Sequence, residues 1–243
     1  MAAIRGRTAW GRSIMCKFGM LTAFAVSPLL SADPALAADC KSAAETSIDW
    51  SECNKSNLML EGSTLDGATL AGTDFSSTDL RDSALTGANF EKARLIRSSL
   101  AGSKAEKANF TRIEGYRTVF ASVAAPGASF ASAELQRADF SGADLTGADF
   151  QKAELGRANF SGATITGGHF PMANLSRADF KDVKFEGTLD LTGAFLFLTR
   201  LEGMDLSNAT GLQQWQVDQA CGDANTKLPQ GIKAPAGWPC APD

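Results

Sequence analysis

Residues 138–157 read ADFSGADLTGADFQKAELGR, and residues 158–177, which follow directly, read ANFSGATITGGHFPMANLSR. The two blocks are identical at eleven of their twenty positions. Each block contains four versions of one five-residue phrase, in which alanine, then aspartate or asparagine, then leucine or phenylalanine precede two further residues. Such self-similarity indicates a repeat architecture, which has to be explained before any single helix or strand is assigned.

The repeat continues on both sides of this stretch with a period of five. A central residue, usually leucine or phenylalanine, occurs every five positions from Leu60 to Phe185, and two residues before it stands a small residue, mostly alanine. This period fits neither the 3.6 residues of a helical turn nor the two-residue alternation of a strand. It predicts a chain that turns a corner every five residues and directs one large and one small side chain inward on each side.

A second period, of twenty residues, shows how the sides close into a coil. Phenylalanine recurs in two series that are ten residues out of phase: Phe120, Phe140, Phe160 and Phe180, and Phe90, Phe110, Phe130, Phe150 and Phe170. Four sides of five residues therefore make one coil, and coils stacked like β-strands rise about 4.8 Å each. This geometry predicts a narrow interior that its own side chains fill, without space for a substrate.

The run of A(D/N)(L/F)xx phrases over residues 58–211 resembles the pentapeptide repeat family. The resemblance implies an all-β fold, a right-handed quadrilateral parallel β-helix. The flanking sequences DWSEC (49–53) and ACGDANTKLPQG (220–231) are similar to the ends of exported members. The chain is thus expected to comprise a signal peptide (1–37), an N-terminal cap (38–57), the β-helix (58–211) and a partly helical C-terminal cap (212–243).

The repeat departs from its pattern in two places. Three central residues are small: Ala105, Gly115 and Ala125. Ile113 and Val123, two residues before the second and third of these, are enlarged, which keeps the core volume nearly constant but predicts a shallow recess. After Phe185 the centres shift by one residue, to Leu191, Leu196, Leu201 and Leu206. One extra residue near Gly187 or Thr188 should form a bulge.

Residues 1–37 have the features of a secretory signal peptide. Four basic residues precede the apolar run GMLTAFAVSPLL (19–30), and the small residues ALA (35–37) precede the predicted cleavage site. This apolar run is too short to span a bilayer, and no later stretch is long enough. Cleavage would lower the net charge from −4 to −7. We therefore expect an exported protein, periplasmic or extracellular, without a transmembrane segment in the mature chain.

Four cysteines remain after cleavage: Cys40, Cys53, Cys221 and Cys240. An even number in an exported chain favours disulfides. Three pairings are open, and the simplest joins Cys40 to Cys53 and Cys221 to Cys240, so that each bond would staple one cap. Zinc is a weaker alternative, because the spacings are not those of metal ligands and His169, the only histidine, is distant in sequence.

Both ends of a solenoid need a cover, because they expose strand edges and open core. Trp50 is predicted to plug the N-terminal end. At the C-terminal end, LQQWQVDQAC (212–221) has the pattern of a short helix, and the prolines after it exclude a longer one. Trp215 and Trp238 are expected to cover the last coil.

The most regular surface feature is a series of arginines spaced by twenty residues, which should stack in one column: Arg97, Arg117, Arg137, Arg157 and Arg177. Three further basic residues occupy the equivalent position on the preceding side of the coil: Lys92, Arg112 and Lys152. A basic column would suit a linear anion, such as a sulfated or phosphorylated polysaccharide, or a membrane surface. The alternative is charge balance, in which the column interleaves with acids three residues earlier, Glu114, Glu134 and Glu154; exposed pairs of this kind contribute little.

Three apolar residues fall at outward positions after the shift in register: Phe195, Phe197 and Leu198. Together they predict a partner site, with a homodimer interface as one form of it. The alternative is that the C-terminal cap folds over them.

No catalytic, cofactor-binding or metal-binding residues are predicted. Asp139, Asp144 and Asp149 should point from three different sides of the coil and so cannot converge as a general acid and base would. His169 points outward without a cysteine or serine partner, which is weak evidence for catalysis. We therefore expect neither an enzyme nor a cofactor.

These observations favour a non-catalytic exported scaffold or binding protein that acts through its outer surface. The expected partner is another protein or an anionic envelope polymer. The family resemblance implies one alternative, because some cytoplasmic members mimic DNA and inhibit DNA gyrase. The net charge of −7 agrees with such mimicry, whereas export and the basic column argue against it, so nucleic acid is not an expected partner.

Overall fold

Successive coils are joined by parallel backbone bridges between residues twenty positions apart. The computed structural model describes residues 38–241, and the predicted signal peptide (1–37) lies outside them. The first four bridges connect Asp49 to Thr69, Asn54 to Asp74, Met59 to Asp79 and Thr64 to Ala84. Four bridges in every twenty residues define four sides. The predicted all-β fold, a right-handed quadrilateral parallel β-helix, is confirmed.

Each strand is a single bridge residue in the middle of a side, and the ladder extends from Asp49 to Lys227. Regular pairing therefore continues into both segments that the sequence assigns to caps. Helix α1, Gln214–Val217, is the only helix in residues 38–241 and is shorter than the predicted stretch 212–221. Within the described part of the chain, no helix has the length and hydrophobicity needed to cross a membrane.

Each side ends in a tight turn, and the geometry of this turn explains the glycine content. In one such turn the amide of Ala68 donates to the carbonyl of Leu65 at 3.1 Å, and Gly67 between them has φ of +63°. A type II turn requires this left-handed conformation at its third residue. Glycine adopts it without the clash that a Cβ atom causes. The position two residues after a central residue is therefore the conformationally demanding one.

Relative to alanine, glycine at this position should stabilise the fold by about 1 kcal/mol. Gly147 has φ of +66°, and a Cβ atom added there would meet no atom within 4 Å. We expect Gly147→Ala to lower the free energy of unfolding by about 1 kcal/mol through backbone strain alone. Arg137→Ala is the matched control, because Arg137 already carries a Cβ at φ of +59°. Urea denaturation followed by circular dichroism should show a change only for Gly147→Ala, and equal midpoints for both variants would contradict the strain argument.

The inward residues pack the interior solid. Nearly all central residues from Leu65 to Phe180 are fully buried, as are most of the small residues two positions before them. The two phenylalanine series form adjacent columns in which Phe130 stacks on Phe150 with centroids 4.8 Å apart and planes at 4°. Phe140 meets Phe150 edge to face at 5.7 Å. Edge-to-face contacts are a preferred aromatic geometry, and they lock the two columns together. The coils that these columns fill enclose no lumen.

The exchange of large and small residues operates as the sequence predicted. Ile113 and Val123 are completely buried, so these enlarged side chains add volume to the core in the two sides whose centres, Gly115 and Ala125, are small. A recess of about 70 Å³ remains on the outside of Gly115. A Cβ atom on Gly115 would lie 2.8 Å from Cδ2 of Leu135, so the neighbouring coil has closed on this position.

The predicted extra residue lies between Lys184 and Asp190. The three bridges that span this point join residues 21 positions apart, as for His169 and Asp190. Within the described residues, no bridge connects Lys184 to the following coil, and a groove of about 590 Å³ lies between Lys184 and Asp205. The insertion therefore breaks the ladder on one side of one coil in addition to shifting its register.

The N-terminal end is closed by a tryptophan and a buried lysine. Trp50 is 1% exposed, as a plug requires, and the Cys40–Cys53 disulfide lies beside it in sequence. Lys55 occupies a central, inward position, where Nζ donates to the carbonyl of Cys40 at 2.9 Å and lies 3.6 Å from the Trp50 ring centroid. Burial lowers the pKa of Lys55, and the nearby charge of Asp39 opposes this effect.

A second disulfide and a buried glutamine close the C-terminal end. Cys221 is bonded to Cys240, so both local pairings are present and the four cysteines are not available as zinc thiolates. Gln216, in α1, is fully buried, and its Nε2 donates to the carbonyls of Leu191 and Ala194 at 2.9 and 2.8 Å. This side chain satisfies backbone acceptors of the coil that α1 covers.

Only one of the two tryptophans predicted to cover the last coil does so. Trp238 packs against the core, and its Nε1 donates to the carbonyl of Ala220 at 2.7 Å. The prediction for Trp215 is wrong, because this side chain is 49% exposed. In the short helix α1, Gln216 and Val217 are the residues that face the core, which directs Trp215 outward.

Candidate functional site

Five arginines occupy one corner in five successive coils; we call them the arginine column: Arg97, Arg117, Arg137, Arg157 and Arg177. Their register follows from bridges on the preceding side, such as that between Glu114 and Glu134, each three residues before an arginine. With about 4.8 Å between coils, the column extends about 19 Å along the axis. The structure thus brings these predicted residues together.

The backbone at this corner is strained by the presence of side chains. All five arginines are left-handed, with φ between 57° and 59°. One other corner relieves the strain with glycine in most coils, as at Gly127, Gly147 and Gly167. The corner of the arginine column carries no glycine from Asn57 to Leu198. Side chains also occupy left-handed positions at the preceding corner, as at Lys152, so this strain is not confined to the arginines.

The arginine column is not neutralised as charge balance would require. Four of its members are exposed, and within residues 38–241 these four form no ion pair: Arg97, Arg117, Arg137 and Arg157. Like charges stacked in neighbouring strands destabilise the fold slightly. Within the described residues, these four arginines therefore carry positive charge that no ion pair neutralises.

The expected interleaving with the glutamates is wrong. Glu114 pairs with Arg94, Oε2 to Nε at 3.2 Å, and Glu154 accepts a hydrogen bond from Nδ2 of Asn174 at 2.8 Å. The glutamates stand at the bridge position in the middle of a side, where the nearest groups lie directly above and below. The arginines project from the turn at the end of that side, so each set has its own neighbours.

The basic residues at the preceding corner do not form a second continuous column. Arg112 and Lys92 both approach Oε1 of Glu91, at 3.4 and 3.8 Å. Ser132 and Met172 occupy the same corner in other coils. Because Lys92 and Arg112 lie close to Glu91 and uncharged residues interrupt this corner, the arginine column is the longer basic feature.

Hydrogen-bond acceptors and an aromatic ring lie beside the arginine column. The glutamate column, Glu114, Glu134 and Glu154, runs parallel to it on the same side of the solenoid. Tyr116 is 37% exposed, and the guanidinium carbon of Arg117 lies 5.3 Å from its ring centroid. The 70 Å³ recess opens here and is lined by Ile96, Glu114, Gly115, Tyr116, Glu134 and Gln136.

The aromatic patch, comprising Phe195, Phe197 and Leu198, remains on the surface. Phe195 and Phe197 are 42% and 43% exposed, and their ring centroids are 6.3 Å apart. Leu198 is half-buried, and its amide donates to the carbonyl of Gln219. The alternative that the C-terminal cap folds over the two phenylalanines is wrong. A role of the patch in binding a partner or a second copy stays a prediction.

A groove of mixed charge, about 650 Å³ in volume, lies beside the last arginine of the column and is lined by Arg177, Asp179, Lys181, Asp182, Arg200, Glu202, Gly203 and Asp223. Nε of Arg200 pairs with Oε1 of Glu202 at 2.7 Å. The backbone amide of Gly203 donates to Asp223 and lowers the pKa of its carboxyl group. Pairing within the groove leaves it without a clear preference for one sign of charge.

The predicted dispersal of the acidic residues is present. Asp139, Asp144 and Asp149 form bridges on three different sides of the coil. Nδ1 of His169 lies 3.1 Å from Oδ2 of Asp190, which is an exposed pair. In residues 38–241, no group of histidine, cysteine and acidic residues is arranged to hold a metal ion.

Sequence reasoning missed the two buried polar residues that secure the ends, Lys55 and Gln216. A signal existed for Lys55, because it stands five residues before Leu60 and so at a central position of the repeat. Gln216 carried no comparable signal, since the sequence does not show which face of the short helix α1 packs against the core.

Comparisons with known proteins agree with this architecture. The family model "Pentapeptide repeats (8 copies)" matches residues 51–91, 74–112, 127–162 and 158–203. Among solved structures, QnrB1, a plasmid-mediated fluoroquinolone resistance protein, is 18% identical, with 73% of this chain and 86% of that chain covered and a TM-score of 0.44. No curated protein sequence matches the chain.

Two further solved structures are similar. HetL, a pentapeptide repeat protein involved in heterocyst differentiation regulation from the cyanobacterium Nostoc sp. strain PCC 7120, is 24% identical, with 76% and 91% of the two chains covered and a TM-score of 0.26. A pentapeptide repeat protein from the Arabidopsis thaliana thylakoid lumen is 30% identical, with 53% and 69% covered and a TM-score of 0.14.

Proposed function

This chain belongs to the pentapeptide repeat family, and from that premise we propose that it is an exported, non-catalytic binding rod that acts through its outer surface. The observation that carries the proposal is the arginine column, in which four exposed arginines without ion pairs occupy left-handed positions. The partner is another protein or an anionic polymer of the cell envelope. The aromatic patch is a second contact surface, for a partner or for a second copy of the chain.

Export is supported by the ends of the chain. The first 37 residues have the basic, apolar and small-residue regions of a signal peptide. The Cys40–Cys53 and Cys221–Cys240 disulfides are of a kind that persists in oxidising compartments. A periplasmic or extracellular location agrees with both features.

A non-catalytic role is supported by the distribution of reactive groups. The interior of the coils is filled by phenylalanine, leucine and alanine, so chemistry would have to take place on the outside. There, the three aspartates Asp139, Asp144 and Asp149 lie on different sides, and His169 pairs with a single aspartate. Catalysis by acid, base and nucleophile needs such groups within hydrogen-bonding reach of one another.

A DNA-mimicking inhibitor of a DNA-binding protein such as gyrase is the second candidate. The net charge of −7 that remains after removal of residues 1–37 favours it. A mimic of DNA needs a continuous negative surface, and the arginine column places about 19 Å of positive charge along the same rod. The binding rod therefore accounts for more of the surface.

The proposal is tested by capture from an envelope extract with the mature chain, residues 38–243, as bait. The triple variant Arg117→Glu, Arg137→Glu and Arg157→Glu should lose the retained partners by about tenfold or more, because three charges are reversed in the column. The control is Lys104→Glu, Lys107→Glu and Lys184→Glu, which changes the net charge equally on another side of the rod. If both variants retain the same partners undiminished, the arginine column is not the binding surface.

A further inference from the structure

The chemistry beside the arginine column restricts what a linear ligand could be. The column offers guanidinium groups, which bind carboxylates through two parallel hydrogen bonds. On the same side the glutamate column offers carboxylate oxygens that are acceptors only. A ligand that lies along both columns must therefore carry anionic groups for the arginines and hydroxyl donors for the glutamates.

This requirement separates two classes of polyanion. Polyphosphate has no hydroxyl groups along its chain, and the glutamate column would repel it. A polysaccharide of uronic acids carries one carboxylate and two or more hydroxyl groups on every sugar. Its apolar sugar faces would also meet Tyr116, which is 37% exposed next to Arg117 and borders the recess at Gly115. Tyrosine is suited to such a contact, because it combines an apolar ring with a polar tip.

The spacing of the arginines agrees with a polymer that runs parallel to the rod. Coils repeat about every 4.8 Å, so a linear polymer that runs parallel to the rod passes one arginine per coil. Carboxylates on the face of the polymer that is turned toward the rod could thus contact arginines at several coils. The arginines are exposed and without ion pairs from Arg97 to Arg157, so binding breaks no existing pair there.

We propose that the arginine column, together with the glutamate column and Tyr116, binds a linear polyuronate lengthwise. The inference rests on the proposed function and names the ligand class of that same surface. It places sugar hydroxyl groups over the side that carries the glutamates and carboxylates over the corner. The length of the arginine column then sets how long a stretch of the polymer is bound.

The test is titration of the mature chain with fluorescently labelled mannuronate oligosaccharides of increasing length. Affinity should rise with length and level off once the oligosaccharide spans the column, which is about 19 Å long. Arg117→Gln, Arg137→Gln and Arg157→Gln together should weaken binding by about thirtyfold or more, since three charge-assisted contacts are lost. The charge-matched control, Lys104→Gln, Lys107→Gln and Lys184→Gln, should stay within about twofold.

Two comparison ligands test which chemical groups of the polymer are recognised. Carboxyl-reduced oligosaccharide should not bind, and polyphosphate of equal charge should bind about tenfold more weakly than mannuronate, because it meets the glutamate column without hydroxyl donors. Polyphosphate that binds as tightly, or mannuronate affinity that is independent of length, would overturn the inference.

The outcome also separates this inference from the proposed function. If mannuronate fails to bind while envelope proteins are still captured in an arginine-dependent way, the polyuronate assignment is wrong and the binding rod stands. If neither mannuronate binding nor capture responds to the arginine variants, both are wrong. Circular dichroism of each variant confirms that the exposed substitutions leave the solenoid folded.

Discussion

Replacing Phe140 by alanine should lower the free energy of unfolding by about 3–5 kcal/mol. The ring is completely buried and stacks on Phe120 and Phe160, with centroids 4.9 and 5.0 Å apart. It also meets Phe130 and Phe150 edge to face. Removal leaves a cavity that four rings line, and stacked coils on either side prevent the backbone from collapsing into it.

The matched control is Phe197→Ala, since Phe197 is 43% exposed in the aromatic patch. This substitution should cost less than about 1 kcal/mol, because little packing is lost. Phe140→Leu should fall between the two, as leucine occupies central positions elsewhere in the repeat. Guanidinium denaturation followed by far-ultraviolet circular dichroism measures all three. A cost for Phe140→Ala no greater than that for Phe197→Ala would mean that the phenylalanine columns do not hold the coils together.

Removal of the Cys221–Cys240 disulfide should cost about 3 kcal/mol at the C-terminal end of the rod. The bond closes a loop of 19 residues, and Cys221 belongs to the ladder, with its amide bonded to the carbonyl of Thr199 at 2.8 Å. Without it, the segment that carries Gln216 and Trp238 is held by fewer contacts. Units of a solenoid contact only their neighbours, so the loss should remain local to that end.

Hydrogen exchange of the double variant Cys221→Ala and Cys240→Ala tests this expectation. Amides of Cys221 and Lys227, which pair with the last coils, should exchange about a hundredfold faster, as a loss of about 3 kcal/mol implies. The amide of Phe130 should be unaffected. The reciprocal variant, Cys40→Ala and Cys53→Ala, should show the opposite pattern, with faster exchange near Trp50. Uniform acceleration along the whole rod would contradict local stapling.

The two proposed binding surfaces differ in how they depend on the fold. The arginine column exists because the period of twenty is exact from Arg97 to Arg177, so any inserted residue would rotate part of it to another corner. The aromatic patch lies just beyond the inserted residue, where Phe195 follows Asn174 in the ladder at a separation of 21. The insertion thus shifts the register between the column and the patch by one residue.

The sequence alone determined the backbone path, the buried residues and the alignment of the arginines. These features follow from a period of five that every coil repeats, so each five-residue phrase predicts the same local structure as the one before it. The bridges then join residues about twenty positions apart. The simplest disulfide pairing and the position of the inserted residue were predicted for the same reason, since both depend on short separations along the chain.

Only the tertiary structure decided which groups pair on the surface and which residues close the ends. Glu114 forms its ion pair with Arg94 and not with Arg117. Such pairing depends on how far long side chains reach between coils, which the repeat period does not specify. Trp215 is exposed and Gln216 is buried, which the sequence did not show because a four-residue helix presents too few residues to define an apolar face. Periodicity fixes what every coil shares, whereas side-chain pairing and end closure are decided by contacts that occur only once.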